Sequence, residues 1–291
     1  MIKVSVPATS ANCSVGFDSL GMALEWRSVF TFEKSDHLEI TGCDPAFATR
    51  DNLVVQAFEL TAERYGQKMP DFHLHIETEI PLARGLGSSS ACVVGGIEAA
   101  SAWFDLNLSK KEMLDLAVVL EGHPDNAAPA LMGQMVSCAK SQDGRVLFST
   151  MKAADFSALA IIPDYEVSTP MARKALPEMI SLHEAASQIG RALIFREAME
   201  NGDEALLADC CFDVFHEPYR RKLIPDYEKM EQTARENSLP FWISGSGSTM
   251  LMLSTDPEKL EAIREMLQEQ YPNFDFRLLS AASKGAVVER V

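Results

Sequence analysis

Glycine and serine crowd into one short stretch of this chain, Pro81-Leu-Ala-Arg-Gly-Leu-Gly-Ser-Ser-Ser-Ala91. Glycines let a backbone approach a ligand closely, and the first N–H groups of a helix have no partners within it. A strand leading in and a helix leading out would make such a turn an anion site. Both are predicted. Phe72, Leu74 and Ile76 alternate with His73, His75 and Glu77, the period of a half-buried strand, and Ala91 to Trp103 has no breaker except Gly95-Gly96. Phosphate is the natural guest; a turn of the same composition with no ligand is the plain alternative. The commoner phosphate patterns are absent. There is no GxxxxGK[ST], and after Gly85 and Gly87 the dinucleotide pattern meets Ser90 where its third glycine belongs.

Together with two other stretches, this turn resembles the motif set of the GHMP kinases, the superfamily of galactokinase, homoserine kinase, mevalonate kinase and phosphomevalonate kinase. The others are Pro7-Ala-Thr-Ser-Ala-Asn12-Cys-Ser-Val-Gly-Phe-Asp18 and Ser244-Gly-Ser-Gly247, and all occur in the expected order over nearly the whole chain. Asn12 and Asp18, the run Glu121-Gly-His123-Pro-Asp-Asn126-Ala-Ala-Pro129, Ser168-Thr169-x-x-x-Arg173 and His216-Glu-Pro-Tyr-Arg220 resemble the homoserine kinase branch. Ser248 departs from the pattern, standing where a proline often follows the third motif.

The resemblance implies ATP-dependent phosphorylation of the side-chain hydroxyl of L-homoserine to O-phospho-L-homoserine, on the route to threonine, with Mg²⁺ as cofactor. Asn52, Pro81, Leu82, Ala83, Arg84, Gly85, Leu86, Gly87, Ser88, Ser89, Ser90 and Ala91 would bind ATP, while Glu121 and Ser89 would hold the cation. Asn12, Asp18, His123, Asn126, Thr169, Arg173, Arg220 and Gly245 would form the amino-acid site. There the arginines suit a carboxylate, which guanidinium matches in a bidentate way. Asp18 would contact the hydroxyl that receives phosphate, with Asn126 as the other residue at the reacting group. An amide cannot take up the alcohol's proton, so catalysis would rest on positioning and electrostatic stabilisation. Thr169 is read equally well as the cap of a helix whose first residue is Pro170, and Asn52 as an ordinary helix start. A GHMP-type kinase for another small alcohol, such as mevalonate or a sugar, is the nearest rival. A serine hydrolase would need a GxSxG elbow, which is absent.

Composition narrows the partners. At 291 residues, with 47% hydrophobic and 23% charged side chains, the chain has the make-up of a soluble globular protein of one large or two medium domains. A net charge of -16 disfavours nucleic acid, whose phosphates demand clustered Lys and Arg. No apolar run reaches membrane-spanning length. Six cysteines without a C-x-x-C pair read as reduced thiols, and Met1 to Val6 begins directly as a strand, so a cytoplasmic address is expected. Oligomeric state is left open, a homodimer being compatible.

The elements that must position these groups follow from periodicity. Strands are predicted over 2–6, 28–32, 37–41, 158–162, 241–243, 249–253 and 274–279, and a hairpin over 134–139 and 145–150 turns through Asp143-Gly144. Helices are predicted over 52–65, from the capping box Ser109-Lys-Lys-Glu112 to Glu121, and within 184–201, 203–211, 225–237 and 257–270. His73 and His75 are expected as exposed strand residues, and Cys210-Cys211 as core. The domain division is placed between residues 153 and 154, giving 1–153 and 154–291. The second half suits an antiparallel sheet with helices on one side, an α+β layout. The resemblance is more definite, implying an N-terminal domain like ribosomal protein S5 domain 2 and a C-terminal ferredoxin-like domain, with the site between them.

Overall fold

Burial alternates from Ile2 to Ser5 and is continuous from Val6 to Ala11 along the first strand, β1 (Ile2–Ala11), and the long β2 (Leu20–Lys34) returns beside it. In this computed structural model, which describes residues 1–291, β3 (Glu39–Thr41), α1 (Leu53–Arg64) and β4 (Phe72–Glu77) follow, then α2 (Ser88–Trp103), α3 (Lys110–Glu121) and α4 (Ala127–Met132). The hairpin β5 (Met135–Lys140) and β6 (Val146–Met151) leads to β7 (Ser157–Ile162) and α5 (Thr169–Lys174). After α6 (Leu182–Asn201), α7 (Glu204–Cys210), α8 (Glu217–Arg220) and α9 (Tyr227–Glu236) come β8 (Phe241–Ile243), β9 (Met250–Ser254), α10 (Pro257–Gln270), β10 (Asp275–Ser280) and β11 (Val287–Arg290).

Two sheets result. The first runs β11-β1-β2-β4-β3, with β5 on the other half of β2 and β6 beyond it; the second runs β10-β7-β9-β8. The closing strand β11 therefore belongs to the first sheet, pairing antiparallel with β1, and a single cut at 153/154 does not describe it. Alternation over only four residues, Val287 to Arg290, is too short to announce a strand.

Phe30, Phe32, Phe58 and Phe72 fill the core between the first sheet and helices α1 and α2, each worth about 1.5–3 kcal/mol of burial. A second core lies between the sheets themselves, joining Met22 and Leu24 of β2 to Phe195 of α6 and Trp242 of β8. Tyr227, Met230, Leu260 and Leu267 cover the far face of the second sheet from α9 and α10. Helices thus lie on both its faces rather than one, because α6 and α7 carry their own buried stripe, Phe195, Ala198, Met199 and Leu207.

Three local readings change. Ser168, not Thr169, caps α5, its hydroxyl accepting from Met171 N at 3.4 Å. His73 and His75 are half-buried and share one hydroxyl, Thr41 Oγ1, at 2.8 and 2.9 Å. Helix α4, directly after Asn126, has no strong signal because Ala-Ala-Pro-Ala-Leu-Met is too short to show a period. The capping box at Ser109 and Glu112 is present as expected. No helix is long and apolar enough to cross a membrane.

Candidate active site

The Gly-Ser turn opens into a cleft of about 930 Å³ between the two sheets. Gly87 is the N-cap of α2 at φ 68°, and no side chain accepts from the first turn there. Those donors are left for a ligand, at the positive end of the helix. The turn can sit so only because it is glycine. A Cβ on Gly85 would lie 2.1 Å from Ser244 O, and one on Gly87 1.9 Å from Thr9 Oγ1. Hydrogen bonds tie the three motif stretches together: Ser244 Oγ donates to Gly85 O at 2.7 Å, Thr249 N to Arg84 O at 3.1 Å and Gly245 N to Ala11 O at 3.1 Å. Ser248 fits without proline, its buried hydroxyl donating to Tyr165 O at 2.6 Å.

Pro81, Leu82, Ala83, Gly85, Gly87, Ser88, Ser89 and Ser90 all line the cleft. Three neighbours do not present side chains to it. Arg84 turns away, donating to Pro163 O and Asp164 O at 3.1 Å each and pairing with Glu166 at 3.2 Å. Leu86 and Ala91 are buried in the cores. Asn52 lines the far end, but its amide is engaged: Oδ1 accepts from Val54 N at 3.0 Å and Nδ2 donates to Phe47 O at 2.9 Å, so it caps α1.

Glu121, the last residue of α3, reaches the start of α2. Ser89 Oγ donates to its Oε1 at 2.5 Å and Ser90 Oγ to its Oε2. One carboxylate flanked by hydroxyls is a hard-oxygen set suited to Mg²⁺, which takes few protein ligands and completes its shell from phosphate and water. No three carboxylate, imidazole or thiol groups converge as a metal site, here or elsewhere in the chain.

The Asn12–Asp18 loop is the other wall. Asn12, Cys13, Ser14 and Asp18 have positive φ, 68°, 42°, 58° and 52°, each costing about 1–3 kcal/mol unless the surroundings hold it. They do. Asn12 Oδ1 accepts from Asp18 N at 3.0 Å, Asn12 Nδ2 donates to Gly245 O at 2.9 Å, Gln188 Nε2 donates to Val15 O at 2.9 Å, and His216 Nε2 lies 2.9 Å from Ser14 O. Beneath, Asp213 accepts from the backbone N–H groups of His216 and Glu217 at 2.7 and 2.8 Å. Burial, reinforced by Asp213, pushes the Glu217 carboxyl up to about 8, so it is neutral at pH 7. Burial also holds His216 down at about 4, against the pull of Asp213.

Both arginines arrive at this wall. Arg173 forks onto Asp18 at 3.0 and 2.9 Å, each side chain about one-third exposed. Arg220 is only 3% exposed; its Nη1 donates to Gly245 O at 2.9 Å, its guanidinium lies 5.2 Å from the Phe17 ring centre, and its buried Nε has no partner. Thr169 Oγ1 is 3.4 Å from Ser246 Oγ at the cleft edge. His123 Nδ1 sits 2.6 Å from the buried Asp125 carboxylate, a hydrogen bond that raises the imidazole pKa. Asn126 Oδ1 accepts from Thr9 Oγ1 at 2.7 Å. Thr9 and the Asp213–Glu217 bed were not singled out from sequence; Thr9 lies inside a quoted motif, whereas Asp213 has no such flag.

Residues 52–134 match the GHMP kinases N terminal domain, and residues 195–273 the GHMP kinases C terminal domain. A homoserine kinase of Clostridium botulinum is 38% identical over 293 residues, covering 99% of this chain and 98% of that one. The chain belongs to the homoserine kinase family of the GHMP kinases. A homoserine kinase of Aquifex aeolicus is 37% identical, with 99% of each chain covered. The crystal structure of homoserine kinase from Cytophaga hutchinsonii superposes with a TM-score of 0.85 at 28% identity, covering 99% of this chain and 97% of that one. The two-domain α+β architecture expected of the GHMP kinases is therefore the one found.

Proposed function

We propose that this chain transfers the γ-phosphoryl group of ATP to the side-chain hydroxyl of L-homoserine. The observation that carries the reading is Arg220: a buried guanidinium with no carboxylate partner, beside the Arg173–Asp18 pair, in the same cleft as the open start of α2. A buried cation without a counter-ion calls for an anionic ligand. An α-amino acid carries its carboxylate and ammonium on one carbon, so it fits a wall where Arg220 and Arg173 adjoin Asp18. On that fit Asp18, expected from the sequence at the hydroxyl but paired with Arg173 in the fold, instead serves the ammonium, exchanging its internal partner for the substrate's charge, and Asn126 is left nearest the hydroxyl.

The start of α2 and the serines would hold the β- and γ-phosphates. Glu121 and Ser89 would hold Mg²⁺, which when bound supplies neutralising charge to the polyphosphate. The homoserine oxygen forms its bond to Pγ as the bond from Pγ to the ADP oxygen breaks, and the alcohol proton leaves to phosphate or water. ADP release measured over a panel of alcohols tests the assignment: turnover with homoserine is expected, and turnover with mevalonate or a sugar while homoserine is inert overturns it.

Six free cysteines suit a reducing, cytoplasmic setting. The face of α6 carrying Leu182, Ile189 and Leu193, exposed by 87%, 62% and 68%, supports a homodimer through that helix.

A further inference from the structure

We propose that Thr9 is a positioning residue that fixes the Asn126 amide for phosphoryl transfer, an inference that rests on the kinase reading above. Thr9 is fully buried on β1 between the two halves of the site. Its backbone N donates to Leu86 O at 3.1 Å, inside the phosphate turn, while its hydroxyl donates to Asn126 Oδ1 at 2.7 Å. The same hydroxyl lies where a Cβ on Gly87 would be 1.9 Å away, and Asn126 Oδ1 would be 3.1 Å from that Cβ. One side chain therefore sets both the height of the turn and the face of the amide.

Asn126 has its backbone N–H bound to Asp125 Oδ1 at 3.1 Å and its Oδ1 bound to Thr9, while the residue itself lines the cleft. The free end of the amide is Nδ2, a donor. Presented to the acceptor hydroxyl, it can take one lone pair and leave another aimed at phosphorus. A flipped amide would turn Oδ1, an acceptor, toward that hydroxyl and engage its proton instead of a lone pair. In that orientation Nδ2 would donate to the Thr9 hydroxyl, whose own hydrogen would be left without an acceptor in a fully buried position, so Thr9 biases the amide toward the orientation seen.

The test uses the full chain with ATP, Mg²⁺ and homoserine. Thr9→Val keeps the shape and removes the donor; Thr9→Ser keeps the donor. Thr9→Val is expected to lower kcat roughly tenfold to a hundredfold with the ATP KM within about twofold, as misplacement of a reacting group does. Thr9→Ser is expected to stay within about threefold of the unmodified chain, and in an Asn126→Ala background Thr9→Val should cost less than about twofold more. An equal loss in that background, a serine variant as slow as the valine one, or a loss confined to the ATP KM overturns the proposal. Thr9→Ala takes the place of Thr9→Val should that variant not fold. A reading that needs no substrate separates this inference from the kinase assignment: the Asn126 side-chain ¹⁵N amide resonance should move in Thr9→Val and stay in Thr9→Ser, and an unmoved resonance in both also overturns it.

Discussion

Replacing Arg220 with methionine should push substrate binding and stability in opposite directions. In the folded chain this guanidinium is 3% exposed; its Nη1 donates to Gly245 O at 2.9 Å and lies 3.5 Å from Nδ1 of the buried His216, and Phe17 is its aromatic neighbour. Losing them costs about 1.5–3 kcal/mol for the bond and about 0.5–2 kcal/mol for the ring contact. Gly245 O is not orphaned, since Asn12 Nδ2 also donates to it at 2.9 Å. Against this stands the relief of a buried, uncompensated charge, several kcal/mol, and methionine retains the apolar packing of the stem. The midpoint of chemical unfolding should therefore stay level or rise. Substrate loses a buried partner for its carboxylate, about 2–3 kcal/mol once Arg173 takes part of the load, which is a roughly 30- to 150-fold higher homoserine KM. Arg173→Met should also raise that KM, yet barely alter stability, because its pair with Asp18 is part-exposed and worth about 0–1 kcal/mol. Coupled ADP-release kinetics and urea titration of each variant supply the measurements. An Arg220→Met chain destabilised by more than about 2 kcal/mol with an unmoved homoserine KM would refute the reasoning, since Arg220 would then be a structural residue.

Gly87→Ala should cut kcat/KM for ATP by at least about tenfold, whereas Gly66→Ala, at a similar φ of 67° but with open space around its Cβ, should cost only about 1–2 kcal/mol of stability and no activity. Glu217, raised from the usual 4.5 to about 8, holds a proton in the folded chain that the unfolded chain releases; stability from this group is full below pH 4.5 and is lost as pH rises to 8, by at most about 1.4 kcal/mol per unit. His216, lowered from 6.5 to about 4, acts oppositely below pH 6.5, and His123, raised above 6.5 by its bond to Asp125, loses its own stabilisation as pH rises above 6.5; Glu217→Gln should therefore remove part of the slope of unfolding curves between pH 6.5 and 8, and the difference between the two chains is the share of Glu217. Leu193→Glu should shift the sedimentation coefficient to that of a monomer; an unchanged value places the contact elsewhere.

Local signals were legible where each residue's neighbours in sequence are also its neighbours in space. The capping box at Ser109, the hairpin at Asp143-Gly144 and the strand entering the phosphate turn all depend on residues a few positions apart. Asp18 beside Arg173 is 155 positions apart, and only the resemblance linked the two; composition and period carry no such information. That Arg84 would leave the turn for Pro163 O and Glu166 was not foreseeable, because an arginine inside a phosphate motif reads as a phosphate contact until the second sheet is placed beside it. The Asp213 carboxylate under the Asn12–Asp18 loop escaped notice for the same reason: its partners His216 and Glu217 are local, but the loop they support begins about 200 positions earlier.

The bonds that knit the motif stretches span Asn12 to Gly245 and Ser10 to Ser244, separations of 233 and 234 residues. Contacts so far apart close late and slowly during folding, after helices and hairpins have formed. Competence to bind a nucleotide should consequently appear in the last phase of refolding, later than the recovery of helical circular dichroism, and a fluorescent ATP analogue becomes a stopwatch for completion of the whole chain.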